Sequence, residues 1–173
     1  GGRIAEGRRP AAPGNLLMKF EQFEVGQRFA VGPAEVSEQS ILEFARAWDP
    51  QWFHTDPAAA DAGRFGGLIA SGWQTCCIAM RMAVQAALAG SEVVASPGIE
   101  HLRWPHPVRP GDRLTLHATI IEVRRSKTRP ELGVLRWHWR VTNQDGVTVL
   151  ELDATNLFDL RAGDRTDRAT IAA

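Results

Sequence analysis

The hydrophobic positions of this chain change period about halfway along its 173 residues. In the front half they recur at helical spacing. Ile41, Leu42, Phe44, Ala45 and Trp48 share one face of a helix that Ser37 is placed to cap. Asp56-Pro57 is a second start signal, a capping carboxylate followed by proline at the first helical position, and Gly63 is its stop. A third helix is predicted over 72–89, GWQTCCIAMRMAVQAALA, between a Ser71 cap and Gly90. Its only charged side chain is Arg81, and a helix apolar nearly all round is either buried or membrane-spanning. Arg81, Gln74, Thr75 and Gln85 are costly in lipid and the stretch is short for a span, so burial is expected.

The back half reads as strands. Segments 93–104, 112–124, 132–143 and 147–160 are rich in Val, Ile, Leu, Thr and Trp. They are separated by Pro110-Gly111-Asp112, by a basic stretch at 124–131, and by Asn143-Gln144-Asp145-Gly146, which closes a hairpin between Val141 and Val147. Trp137 and Trp139 alternate with His138 and Arg140, which gives one apolar face for the core or a subunit interface. With a short strand near residues 28–31, the pattern predicts an α+β fold: an antiparallel sheet of about five strands wrapped round one long central helix.

Composition narrows the function classes. Twenty Lys+Arg balance 20 Asp+Glu, and 44% hydrophobic with 23% charged residues is globular rather than disordered. Zero net charge argues against a nucleic-acid binder. The predicted elements lie within 18–160, a single domain with 14 Lys+Arg against 17 Asp+Glu, hence mildly acidic at −3. Residues 1–17 lack a continuous apolar stretch and precede Met18-Lys19-Phe20, so they read as a leader or an N-terminal extension, and 161–173 as a polar tail. The two cysteines, Cys76 and Cys77, are adjacent and inside the predicted helix. They form no disulfide framework or zinc site and read as small hydrophobes, with a reducing, cytoplasmic setting expected. There is no tyrosine, so any acid, base or nucleophile is another residue type.

Two local features carry chemistry. Asp49 ends the first helix and His54 follows in a short loop that Pro50 and Pro57 restrain. Imidazole moves protons near neutral pH, and a carboxylate beside it can orient a water or hold one tautomer. The same spacing also fits an ordinary helix end followed by an ordinary loop histidine. The second feature is Arg64-Phe65-Gly66-Gly67-Leu68-Ile69-Ala70-Ser71-Gly72-Trp73, a glycine loop that opens the predicted central helix. Backbone N–H groups at a helix start are unpaired donors with partial positive charge, and glycine at 72 lets a ligand approach them, as a developing oxyanion requires. A plain glycine loop entering a core helix fits equally well.

Taken together, Asp49, His54 and Asp56, then Gly67–Trp73, then Pro107-Val108-Arg109-Pro110-Gly111-Asp112, resemble the MaoC-like acyl dehydratases, which include the (R)-specific enoyl-CoA hydratases. The resemblance spans Phe20 to Leu160 and implies the hot-dog fold, in agreement with the pattern above. It implies reversible hydration of a trans-2-enoyl thioester, carried by CoA or an acyl carrier protein. Asp49 and His54 match the catalytic pair, and Gly72 matches the backbone N–H that polarises the thioester carbonyl. No metal or cofactor is implied beyond CoA as part of the substrate. A homodimer or higher homo-oligomer is implied, with no nucleic-acid or membrane partner.

The chain departs from the family loop Asp-x-Asn-Pro-hydrophobic-His, reading Asp49-Pro50-Gln51-Trp52-Phe53-His54. Gln51, Ser71 and Trp73 are candidate substrate contacts beside the pair, with Trp104 either lining an acyl tunnel or packing. Arg124, Arg125, Lys127 and Arg129 suit the phosphates of coenzyme A, and a solvated turn suits them as well. His101, His106, His117 and His138 lack ligand spacing and read as structural. Two other functions compete. A hot-dog thioesterase would place a carboxylate on the central helix, where 72–89 has none. A non-catalytic acyl-thioester-binding module would not need Asp49 and His54.

Overall fold

The computed structural model describes residues 18–161. The segments read as leader and tail, 1–17 and 161–173 apart from Arg161, lie outside the described residues. Five strands, β1 (Arg28–Glu35), β2 (Val93–Arg103), β3 (Arg113–Arg125), β4 (Leu132–Thr142) and β5 (Thr148–Asp159), form one sheet in the order β1-β3-β4-β5-β2. Every pairing is antiparallel. Four helices, α1 (Glu38–Trp48), α2 (Trp52–Thr55), α3 (Pro57–Ala62) and α4 (Gly72–Ala83), lie between β1 and β2.

The sequence signals act locally as expected. Ser37 Oγ accepts from Ser40 N at 3.1 Å and starts α1. Asp56 accepts from Ala59 N at 3.0 Å, Pro57 takes the first position of α3, and Gly63 ends it. Between β4 and β5, Asn143 Oδ1 accepts from Asp145 N and Val147 N, while Gly146 takes a φ of 75°. That geometry needs the left-handed region glycine occupies freely. Pro110-Gly111-Asp112 likewise proves to be architectural. Asp112, 8% exposed, accepts from Arg109 N at 2.8 Å and from Gln144 Nε2 at 3.0 Å, tying the start of β3 to the β4–β5 turn.

One face of the sheet makes the core. Leu114, Leu116, Ile120, Trp137, Val141 and Leu150 are fully buried from the strands, and Ala79, Met82 and Ala83 meet them from α4. Trp137 also donates from Nε1 to Asn156 Oδ1 at 3.0 Å, which satisfies its one polar atom inside the core. At the far end Phe20 and Phe23 close over Phe158, with ring centroids 5.4 and 5.5 Å away. The opposite sheet face is polar, with Arg136 paired to Glu100 at 2.7 Å and His101 and His138 sharing Asp153.

The central helix differs from expectation in length and burial. It is α-helical only to Ala83 and continues as a wider π turn over Val84–Leu88. One side stays uncovered: Trp73, Met80 and Val84 are exposed, Cys77 is exposed, and Cys76 is only half-buried. The physical reason is that the sheet of one chain reaches a single face of α4. Strand β1 also runs longer than the segment 28–31, and a single helical turn, α2, occupies part of the expected loop.

Gly133 on β4 tests the packing. A Cβ there would stand 2.6 Å from the Phe20 ring, which Phe158 holds from behind. Gly133→Ala is expected to lower the unfolding free energy by about 1–3 kcal/mol, the usual range for an overpacked core. A shift of the urea midpoint at unchanged slope measures it.

Candidate active site

The site forms where α1 stops. Pro50 has no N–H to continue the helix and pushes Asp49 out of helical geometry, to φ −149° and ψ 69°. The chain then turns once as α2, which carries His54 inward to 5% exposure. Residues 68–70 run beside α2. Ile69 N donates to Phe53 O at 3.3 Å, and Ala70 N donates to Val108 O at 2.8 Å. This segment delivers Ser71 to the start of α4 and lays the Ile69 carbonyl against His54.

The hydrogen bonds assign the imidazole tautomer. His54 Nδ1 lies 2.7 Å from Ile69 O, and a carbonyl can only accept, so Nδ1 carries the proton. In the neutral ring Nε2 then bears a lone pair, and it faces Asp49 Oδ2 at 3.4 Å. The two acceptors are too close for a water between them, but one water lying on the cleft side of the pair can donate to both.

Asp49 is held on both oxygens. Ser71 Oγ donates to Oδ2 at 2.7 Å and Gln51 Nε2 donates to Oδ1 at 2.8 Å. The Ser71 hydrogen bond is the largest influence on its acidity and lowers the pKa. Partial burial acts the other way, and Gln51 and the nearby His54 add to the lowering. The net direction is below the ordinary carboxylate value, so Asp49 is a stable anion and a weak base.

Gly72 is the first residue of α4, and its N–H has no partner among the described residues. The reason for glycine here is packing. A Cβ would stand 2.5 Å from the Trp104 ring, whose Nε1 donates to Gly72 O at 3.0 Å. Trp73 meets Trp104 edge to face at 5.6 Å. Asp49, His54, Ser71, Gly72, Trp73 and Trp104 thus line one open cleft of about 360 Å³. A preorganised acceptor pair and a free helix-start donor in one cleft can activate water beside a carbonyl.

Several sequence-level assignments change. Gln51, expected to touch substrate, donates to Asp49 and is not among the residues that line the cleft. Trp52, half exposed, packs outward over Gly63 and meets Phe53 at 5.3 Å, outside the cleft lining. Ser71 combines its cap, accepting from Trp73 N at 3.3 Å, with its bond to Asp49.

The basic residues Arg124, Arg125, Lys127 and Arg129 sit around the β3–β4 turn, and none lines the cleft. The cleft includes Val149, beside the Leu150–Val141–Leu116 row of the sheet. From Leu116 to Arg125 is about 30 Å along β3 at the usual strand rise. These cations therefore stand at the other end of the sheet from the cleft of their own chain.

Burial pushes the Cys76 thiol up to about 11, against a hydrogen bond with Trp104, so it is no nucleophile at neutral pH. His106, read as structural, lines the cleft. The flanking prolines in Trp104-Pro105-His106-Pro107 were its only sequence signal. Among the described residues no group of His, Cys, Asp and Glu is placed to hold a metal, and no helix is long and apolar enough to cross a membrane.

Known proteins share this arrangement of elements. The family model described as MaoC like domain matches residues 21–136. Uncharacterized protein YdeM of Bacillus subtilis (strain 168) is 37% identical over 135 residues, covering 78% of this chain and 94% of YdeM. The crystal structure of the MaoC-like dehydratase from Rhodospirillum rubrum superposes with a TM-score of 0.74 at 37% identity, over 80% of this chain and 94% of that one. 3-Hydroxyacyl-thioester dehydratase Z of Mycobacterium tuberculosis (strain ATCC 25618 / H37Rv) is 32% identical over 90 residues, 51% of this chain and 60% of its own length.

Ser71→Ala removes both hydrogen bonds of the serine hydroxyl, and the Asp49 titration reads the one to the carboxylate. Losing the strongest pKa-lowering contact moves the Asp49 titration upward, toward the ordinary carboxylate value, as followed by the ¹³Cγ shift. The sign follows from linkage. A depressed carboxylate stabilises the fold above its unfolded pKa and loses that contribution as pH falls through the folded value, so the variant loses part of the neutral-pH contribution. An unchanged Asp49 titration contradicts the assignment.

Proposed function

Since the chain belongs to the MaoC-like family of dehydratases and hydratases, we propose that it catalyses reversible hydration of a trans-2-enoyl thioester to the 3-hydroxyacyl thioester. The observation that carries this reading is the convergence of Asp49 Oδ2, His54 Nε2 and the free Gly72 N–H on one cleft. A water on the cleft side of the two acceptors donates one hydrogen to each. Its oxygen attacks C3 while His54 Nε2 takes one of its protons. The C2–C3 π electrons move toward the thioester oxygen, which the Gly72 N–H stabilises as an enolate. The imidazolium then returns a proton to C2, and the sum is addition of H and OH across the double bond. Asp49, held as an anion by Ser71 and Gln51, holds the water and balances the imidazolium charge.

The reading includes a homodimer. The apolar residues Trp73 and Met80 exposed on α4, Val84 in the π turn after it, and Val94 and Ile99 on the edge strand β2 need covering, and a second copy offers the same surface in return. Sedimentation is expected to give at least twice the chain mass, and a strict monomer contradicts this part.

The reaction is tested with crotonyl-CoA and longer enoyl-CoAs by loss of enoyl absorbance. Asp49→Asn and His54→Ala are each expected to lower kcat/KM by roughly 10²–10⁴-fold with the fold intact by circular dichroism. Wild type inert on every chain length, or turnover indifferent to both changes, overturns the proposal. Release of free CoA thiol in place of hydration supports the thioesterase instead.

A further inference from the structure

His106 is the remaining titratable side chain in the cleft, and the hydration chemistry leaves it unused. Its backbone is clamped between Pro105 and Pro107, each with φ near −65°, in the segment between β2 and β3. The ring is fixed from one side: Nδ1 lies 2.9 Å from Thr148 O at the start of β5. A carbonyl only accepts, so Nδ1 carries the proton, and the neutral ring presents a bare Nε2. Among the described residues that nitrogen has no partner.

Position distinguishes His106 from His54. His54 is buried on the cleft floor, whereas His106 is exposed, so it belongs to the rim. Its neighbours on that wall, Trp104, Pro105, Pro107, Val108 and Val149, leave the rim otherwise without a side-chain acceptor. A thioester whose reacting carbons lie at Asp49 and His54 leaves the cleft through its sulfur-bound arm. For CoA and acyl carrier protein substrates that arm is pantetheine, which carries amide N–H donors.

We propose that His106 is a substrate-contact residue whose Nε2 accepts a hydrogen bond from an amide N–H of the pantetheine arm at the cleft rim. The assignment rests on the hydration reading and adds carrier recognition to it. Selection of the carrier then resides partly in a single rigidly held acceptor, separate from the groups that move protons.

The experiment compares crotonyl-CoA with S-ethyl thiocrotonate, which has the same acyl group and no amide. In His106→Phe the ratio of kcat/KM for the CoA ester over the ethyl ester is expected to fall roughly 3- to 10-fold, as for one neutral hydrogen bond. The loss should appear in KM, because the contact is made equally in ground and transition states. His106→Gln, which restores an acceptor near the Nε2 position, is expected to recover part of that ratio. An unchanged ratio, or equal loss on both esters, marks a structural role and overturns the proposal. A loss seen with 4-hydroxycrotonyl-CoA beyond that with crotonyl-CoA assigns the donor to the acyl chain and overturns the carrier assignment. Wild type inert toward both esters overturns the hydration reading and this one with it, whereas a negative His106 result leaves hydration standing.

Discussion

One hydroxyl joins the two halves of the site. Ser71 Oγ accepts from Trp73 N as the cap of α4 and donates to Asp49 Oδ2 at the end of α1. Ser71 is fully buried, so neither hydrogen bond competes with bulk water. Helix start and carboxylate are thereby held in fixed relation, and the free Gly72 N–H inherits its place from the same cap. The proposed hydration depends on that relation, because it needs a carbonyl at the Gly72 N–H and a water at Asp49 at the same time. The segment between β2 and β3 contributes at second hand: Val108 O takes Ala70 N, which steadies the segment ahead of Ser71.

The division of labour between Asp49 and His54 follows from their partners. Three neighbours favour the carboxylate anion, which suits it to anchor water and balance charge in the proposed hydration. The imidazole has one nitrogen committed to the Ile69 carbonyl and the other open to the cleft, which suits it to carry the proton in that proposal. Trp104 serves the same end from the opposite wall. It occupies the space a side chain at position 72 would fill and hydrogen-bonds the Gly72 carbonyl, so the peptide carrying the donor is fixed from both sides.

Features with local causes were legible in the sequence. The caps at Ser37, Asp56 and Ser71, the strand segments and the Asn143–Gly146 turn depend on near neighbours, and the structure has them where periodicity and turn chemistry put them. The spacing of Asp49 and His54 leaves an ordinary loop histidine open, and it is the resemblance carried by the three motifs together that singles the pair out. What escaped was set by distant contacts. Gln51 turns back to Asp49, a contact that only the carboxylate's position decides. His106 becomes a cleft residue through Thr148 O, far along the chain. The basic turn after β3 stands a long strand away from the cleft of its own chain, a distance composition does not carry. The uncovered side of α4 escaped as well, because an apolar helix looks alike whether its own sheet or a second copy covers it.

The account is tested most directly by a crystal structure with butyryl-CoA bound, a saturated thioester that cannot be hydrated. It predicts the thioester oxygen within roughly 3 Å of Gly72 N, and one ordered water bridging Asp49 Oδ2 and His54 Nε2 on the side of C3. A thioester carbonyl turned away from Gly72, or an acyl chain packed so that no water reaches both Asp49 and His54, contradicts it.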